Sequence, residues 1–180
     1  FKYNFYRYNV NTKICKSQAA VNFCMGLTNN LKYCKIKKML IRKSRMRKFQ
    51  VAIVGGGASG MLCALLLADA GITDVAIFER NDRLGRKLSV TGNGQGNISN
   101  MQMSADFYFS DNKSRVKKVL DFFGKEQLLG YLEKLGGLFF ADKEGRIYPA
   151  SRQASSVTDI LRFAIEKRGL AVFLNSYVRN

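Results

Sequence analysis

Gly55, Gly57 and Gly60 stand at the spacing Gly-x-Gly-x-x-Gly, and Glu79 follows nineteen residues after the last of them. Residues of these types at this spacing can hold a diphosphate. Gly55 permits a tight turn from strand to helix, Gly57 lacks the Cβ that would keep a pyrophosphate off the backbone, and Gly60 lets the helix lie close on the strand. The N–H groups at the helix start, aided by the helix dipole, then face the phosphates. A carboxylate at Glu79 can accept hydrogen bonds from both ribose hydroxyls of an adenosine, and its charge repels a 2′-phosphate. The chemistry this set defines is dinucleotide binding, set against the plainer alternative of a glycine-rich turn with no ligand.

Such a cradle needs a strand, a helix and a second strand. Gln50–Val54 is a short β-branched run suited to a buried parallel strand, Ser59–Ala70 reads as a helix closed by Gly71, and Asp74–Phe78 reads as the next strand, ending on Glu79. The same stretch has a membrane reading. Residues 49–68 carry no charge, KKMLIRKSRMRK precedes them, and Gly56 with Gly60 forms a small-xxx-small pair. Length decides between the two. A hydrocarbon core of about 30 Å takes about 20 helical residues, whereas the glycines near one end leave a helix of about a dozen residues, or about 18 Å. The reading is therefore an α/β, Rossmann-like domain, a parallel sheet with flanking helices, and no membrane partner.

The net charge of +17 is uneven. Residues 1–50 hold 13 Lys and Arg and no acid, while residues 51–180 hold 17 basic and 13 acidic residues. A chain this basic raises nucleic acid as a partner, but the excess sits in a leader with no recognisable reader motif, so no nucleic acid is expected. Residues 1–45 show no sustained period. They fit a disordered basic arm, an organelle-targeting peptide, or upstream sequence read through in frame, since Met46 opens MRKFQVAIVGGG as a natural start. The domain proper is then 46–180. Cys15, Cys24, Cys34 and Cys63 match no metal-ligand spacing and the chain has no histidine, so no metal is expected.

After Glu79 comes RNDRLGRKLSVTGNGQGNISN, with Gly85, Gly92, Gly94 and Gly96 among polar residues. A solvated loop is one reading. The other is a binding loop, because twenty residues without secondary structure are uncommon in a compact domain unless they hold something. Arg86 and Lys87 can meet a pyrophosphate or ribose, and glycine N–H groups can approach a flavin ring.

VAIVGGGASG, the terminal acid of FER, GRKLSVTGNGQGNISN and GRIYPASRQASSV together resemble the BaiN/YhiN-like flavoproteins, a family of NAD(P)/FAD-dependent oxidoreductases, from about Lys48 to the last residue. The resemblance implies FAD as cofactor, with Gly55, Gly57, Ala58, Ser59, Gly60, Glu79, Arg80, Lys87, Thr91, Gly92 and Asn97 lining it, and NAD(P)H as electron donor. It also implies a layout in which a second domain and a C-terminal segment follow the part seen here. Many relatives carry Arg-Cys where this chain has Gln95-Gly96, so no thiol role transfers to that place.

Further on, Arg115–Phe122 and Lys125–Leu135 have helical spacing, and Leu138–Ala141 with Arg146–Tyr148 reads as a hairpin ended by Pro149. Ser156 and Asp159 suggest a capping box for an amphipathic helix of Val157, Ile160, Leu161, Ala164 and Ile165 that stops at Gly169, and Leu170–Val178 reads as an apolar strand. The resemblance places Arg146, Pro149, Ser151 and Gln153 toward the flavin.

The function expected is an FAD-dependent, cytoplasmic oxidoreductase that uses NAD(P)H to reduce a small unsaturated or carbonyl-bearing molecule. Its oligomeric state is open. Without histidine a proton would come from Tyr, Lys, a carboxylic acid or water, and no catalytic residue is singled out. Two alternatives stand beside it: a truncated FAD-binding module without turnover, and a nucleic-acid-binding protein working through its basic leader.

Overall fold

The computed structural model describes residues 8–10, 36–38 and 48–178. Within the leader these include two short strands, β1 (Tyr8–Val10) and β2 (Ile36–Lys38), paired antiparallel; the rest of the leader reading lies outside the described residues. The chain forms two compact units, one taking in the chain up to Arg86 and from Arg162 onward, the other Lys87–Leu161.

The first unit is built on a parallel three-stranded sheet in the order β3 (Val51–Val54), β4 (Val75–Phe78), β8 (Ala171–Phe173). Val51 pairs with Val75 and Val54 with Phe78, while Ala76 pairs with Ala171 and Phe78 with Phe173. Alternation along a strand sends successive side chains to opposite faces. Ile53, Val75 and Ile77 are buried on one of them, the face toward helix α1 (Ala58–Asp69), where Gly60 approaches Ile53. On the other, Phe78 stacks on Phe173 with ring centroids 4.9 Å apart, and Phe49 meets both edge-on. Each such aromatic pair contributes about 0.5–1.5 kcal/mol beyond its area burial.

Helix α1 is buried along Met61, Cys63, Ala64, Leu65 and Leu67. These positions run round the helix instead of along one stripe, which accounts for the uncharged sequence without any membrane. No helix among the described residues is long and apolar enough to cross one. Ala70 caps the helix and Gly71 follows in the left-handed region at φ 84°.

The second unit holds an antiparallel sheet, β5 (Ser99–Asn100), β7 (Arg146–Pro149) and β6 (Phe139–Ala141), with helices α2 (Lys113–Phe122) and α3 (Lys125–Lys134). Helix α4 (Ala154–Lys167) begins in this unit and ends in the first.

Three expectations change. Helix α4 starts at Ala154, so Ser156 lies inside its first turn and is no cap; its hydroxyl is 2.8 Å from that of Ser151. The expected strand Leu170–Val178 shrinks to Ala171–Phe173 because Asn175, at φ 50°, turns the chain and gives its N–H to Asn81, while Ser176 gives its own to the Glu79 carbonyl. The long loop after Glu79 contains a 3-10 turn at Leu88–Val90 and the strand β5, so it is not structureless.

Candidate functional site

The glycine turn joins β3 to α1 in the first unit. Gly55 sits at φ +102°, a region that L side chains rarely adopt. A Cβ on Gly60 would lie 2.0 Å from the Gly55 carbonyl oxygen, so the helix can pack on the strand only if that residue is glycine. Gly57 differs from both. It has ordinary extended backbone, φ −78° and ψ −174°, and a Cβ there would meet nothing within 4 Å. Nothing in the fold demands glycine at Gly57; open space lies over it.

That space faces the start of α1. Gly57 is the N-cap residue, no side chain caps the helix, and its first turn holds no acid. Met61 is the first residue of the helix to return its N–H to a backbone carbonyl, that of Gly57. Among the described residues no acceptor takes the N–H groups of Gly57, Ala58, Ser59 or Gly60. Gly57 and Ala58 are exposed, Ser59 half-buried and Gly60 buried. Unpaired donors at the positive end of a helix, under a surface cleared of side chains, suit a diphosphate.

Glu79 is 7% exposed, and its carboxylate is ordered by three donors. Gly56 gives its N–H to Oε2 at 2.7 Å, and Asn81 gives its N–H and its side-chain Nδ2 to Oε1 at 2.8 and 2.5 Å. A carboxylate has about four acceptor positions, so about one is left for a hydroxyl from outside, where the sequence suggested two. Arg80 is exposed beside it.

Residues that the sequence reading passed over complete this unit of the site. Gly56, the unmarked residue of the motif, is buried because a Cβ there would lie 2.2 Å from Leu84 Cδ2. Its carbonyl accepts the Gly85 N–H at 2.7 Å. Asn81 holds Glu79 and in turn accepts from Arg86 Nη1 at 3.3 Å, so Arg86 reaches the Glu79 carboxylate through Asn81. A third consecutive glycine was the only local signal for any of these contacts.

The remaining sequence-named residues, Lys87, Thr91, Gly92 and Asn97, belong to the second unit. Lys87, Gly92 and Asn97 are exposed. The Thr91 hydroxyl donates to the Leu88 carbonyl at 2.8 Å. Gly94 and Gly96 give their N–H groups to Thr91, and Gln95 gives its own to Gly92. The loop therefore satisfies itself, and among the described residues it leaves only the N–H groups of Gly92, Asn93 and Asn97 from TGNGQGN without a backbone or side-chain acceptor in this turn. Gly96 is buried at φ +77°, and a Cβ would lie 2.8 Å from Ala154 Cα. The position that is a thiol in many relatives is here a backbone contact. Arg146 is engaged by the hairpin's own acids, Asp142 at 2.7 Å and Glu144. Burial acts to raise Asp142, but the hydrogen bonds from Arg146 outweigh it and hold that carboxyl below the ordinary aspartate value.

The same unit contains a cavity of about 550 Å³ between Asn97–Ser104 and α2–α3, with Met103, Phe107, Leu120, Phe123 and Leu128 in its wall and no charged side chain.

A parallel sheet opening on a glycine turn and a buried terminal acid defines a Rossmann-type dinucleotide-binding domain. The HI0933-like protein Rossmann domain matches residues 49–180, and the chain belongs to that family. It is 34% identical over 125 residues to the 3-dehydro-bile acid delta(4,6)-reductase of Clostridium scindens, covering 69% of this chain and 30% of the relative. To the ribosomal RNA dihydrouridine synthase of Haemophilus influenzae it is 33% identical over 134 residues, covering 70% and 31%. The crystal structure of Thermovibrio ammonificans THI4 aligns with a TM-score of 0.44 and 24% identity over 69% of this chain and 37% of that one. The chain spans about 30% of the length of the curated relatives it matches.

Proposed function

We propose that this chain is the FAD-binding portion of an oxidoreductase that reduces a carbon–carbon double bond, with NAD(P)H as the electron donor. The observation that carries the reading is the pairing of an open glycine turn with a buried carboxylate at the end of the next strand. Gly57 has open space where a side chain would sit, the adjacent helix amides lack acceptors, and Glu79 keeps about one acceptor position. When bound, the flavin would supply hydride chemistry. The amides of Gly57, Ala58 and Ser59 would hold the diphosphate, and Glu79, fixed by Gly56 and Asn81, would orient the adenosine ribose. Membership of the family supports the cofactor class, and the names of both curated relatives describe saturation of a double bond.

The test is the absorbance spectrum of the purified chain. Bands near ~370 and ~450 nm are expected of bound flavin, and anaerobic NADH or NADPH should bleach them. A colourless protein that takes up no added FAD would overturn the reading; a coloured one that neither nicotinamide bleaches would leave a binding module without turnover.

One observation favours a second substrate reading, a uracil base within RNA. Phe107 and Phe109 are 69% and 108% exposed, and the turn that carries Phe107 contacts α2, which presents Lys113, Arg115 and Lys118 to solvent. Exposed rings beside cations suit single-stranded RNA, and a curated relative is named for a ribosomal RNA product. Gel-shift titration with a uridine-rich single strand, before and after replacing those three cations by alanine, distinguishes this from a small-molecule substrate. Loss of a salt-sensitive shift supports RNA, and no shift in the parent chain excludes it.

A further inference from the structure

Resting on the FAD reading, the geometry points to Arg162 as a positioning residue for the dinucleotide cradle, acting through the Leu84 carbonyl. We infer that it clamps the segment after β4 onto the glycine turn and so presets the site before cofactor arrives.

The segment 79–85 holds Gly56 from three directions. Glu79 accepts the Gly56 N–H at 2.7 Å, Gly85 donates to the Gly56 carbonyl at 2.7 Å, and the Leu84 side chain fills the place a Gly56 Cβ would take. The middle glycine of the turn is thereby fixed by the same segment that orders the ribose acid. The start of the segment is tied by backbone hydrogen bonds linking Glu79 and Asn81 to residues 173–176, but residues 82–86 are bends and turns outside any strand, with Leu84 and Gly85 buried. A buried carbonyl in irregular backbone needs a donor. Arg162 provides it from α4, 78 residues further along, through Nε at 3.2 Å and also through Nη2. Both groups belong to the same compact unit. The guanidinium is planar, so it holds one oxygen with two donors in a fixed direction.

The effect of Arg162 is transmitted from the guanidinium to Leu84, and from Leu84 and Gly85 to Gly56 and Glu79. A merely structural contact would stabilise the fold in proportion and leave cofactor affinity alone; a clamp changes affinity more than stability.

Arg162→Met keeps an unbranched apolar stem, two atoms shorter than arginine, and removes both donors, and Arg162→Lys keeps one charged donor. With the full chain stripped of flavin, FAD affinity is read by quenching of flavin fluorescence, the unfolding midpoint by circular dichroism, and protection of the Gly56 and Gly85 amides by hydrogen exchange. The expected result for Arg162→Met is a loss of FAD affinity of about tenfold, the worth of one charge-assisted hydrogen bond. Faster exchange at both amides should accompany it, with an unfolding midpoint close to the parent's and recovery of affinity in Arg162→Lys. Unchanged affinity and unchanged exchange in Arg162→Met would overturn the clamp, as would a loss of affinity that merely follows a lowered midpoint and is not restored by lysine. If the parent chain binds no FAD, the cofactor reading fails, and the exchange of Gly56 and Gly85 alone then decides whether Arg162 holds the turn.

Discussion

GGGASG at residues 55–60 holds four glycines in six residues and TGNGQGN at residues 91–97 holds three in seven, and the two place their backbone amides differently. The first gives the amides of Gly55 and Gly56 to Phe78 and Glu79, leaves those of Gly57, Ala58, Ser59 and Gly60 without acceptors among the described residues, and keeps clear space over Gly57. The second turns its amides inward, with Gly94, Gln95 and Gly96 bonded to Thr91 and Gly92, and places Gly92, Asn93, Gly94 and Gly96 at positive φ. Glycine density therefore marks two different needs. In one, Gly57 leaves open space above the backbone; in the other, Gly92 and Gly96 make room for the chain itself. A Cβ would meet nothing within 4 Å at Gly57 or Gly94, and backbone at Gly60, Gly92 and Gly96.

The largest effect expected from breaking that contrast is at Gly60. Gly60→Ala drives a methyl into the Gly55 carbonyl, 2.0 Å away, and should cost about 3 kcal/mol or more, beyond ordinary overpacking. The unfolding midpoint and flavin content should fall together. Gly57→Val should split the two readouts. With nothing within 4 Å of the new Cβ, stability should stay near the parent's, while FAD affinity drops by more than about 100-fold, or roughly 2.7 kcal/mol. A Gly57→Val protein with full flavin content would show that the space is not where the diphosphate lies.

Gly96→Ala sharpens the other side of the comparison. The position combines φ +77° with Ala154 Cα at 2.8 Å, so alanine should destabilise the second unit by about 1–3 kcal/mol, seen as faster limited proteolysis within Lys87–Leu161. Equal proteolysis rates would mean the loop yields easily and its glycines are not structural.

The smallest effect expected is in acid. Asp142 accepts from Arg146, and its pKa in the folded chain lies below the ordinary value near 3.8. A depressed carboxylate contributes stability that is whole above its unfolded pKa and is lost as pH falls through the folded one. The β6–β7 hairpin should therefore loosen only below about pH 4, and Asp142→Asn should remove that dependence. A titration of hairpin amide exchange from pH 6 to pH 2 that is the same in both proteins would remove the role given to the pair.

Much of the first unit was legible in the chain. Val51–Val54, Ala58–Asp69 and Val75–Phe78 fall within a residue or so of the expected strand, helix and strand, because a β-branched run, a glycine turn and an apolar run of helical length leave few other choices. Glu79 as the terminal acid was legible for the same reason. Less could be read where a long-range partner decides the outcome. The strand expected to reach Val178 stops at Phe173, since Asn81 and Glu79 capture the amides of Asn175 and Ser176, and no local pattern announces that exchange. The capping box at Ser156 failed because the Gly94 carbonyl accepts the Ala154 N–H and helix starts there, two residues earlier.

Local spacing was thus enough to define the strand, glycine turn, helix and strand of a Rossmann-type domain, for the steric reach of a missing Cβ and the period of a strand or helix are properties of neighbouring residues. Tertiary structure alone decided which glycines have open space over them and which meet backbone, that Gly56 is enclosed by Leu84 and Glu79, and that Arg162, far along the chain, reaches the Leu84 carbonyl. Those facts depend on what stands across space from each backbone group, and a carbonyl such as that of Leu84 shows no trace of its partner until the chain has folded.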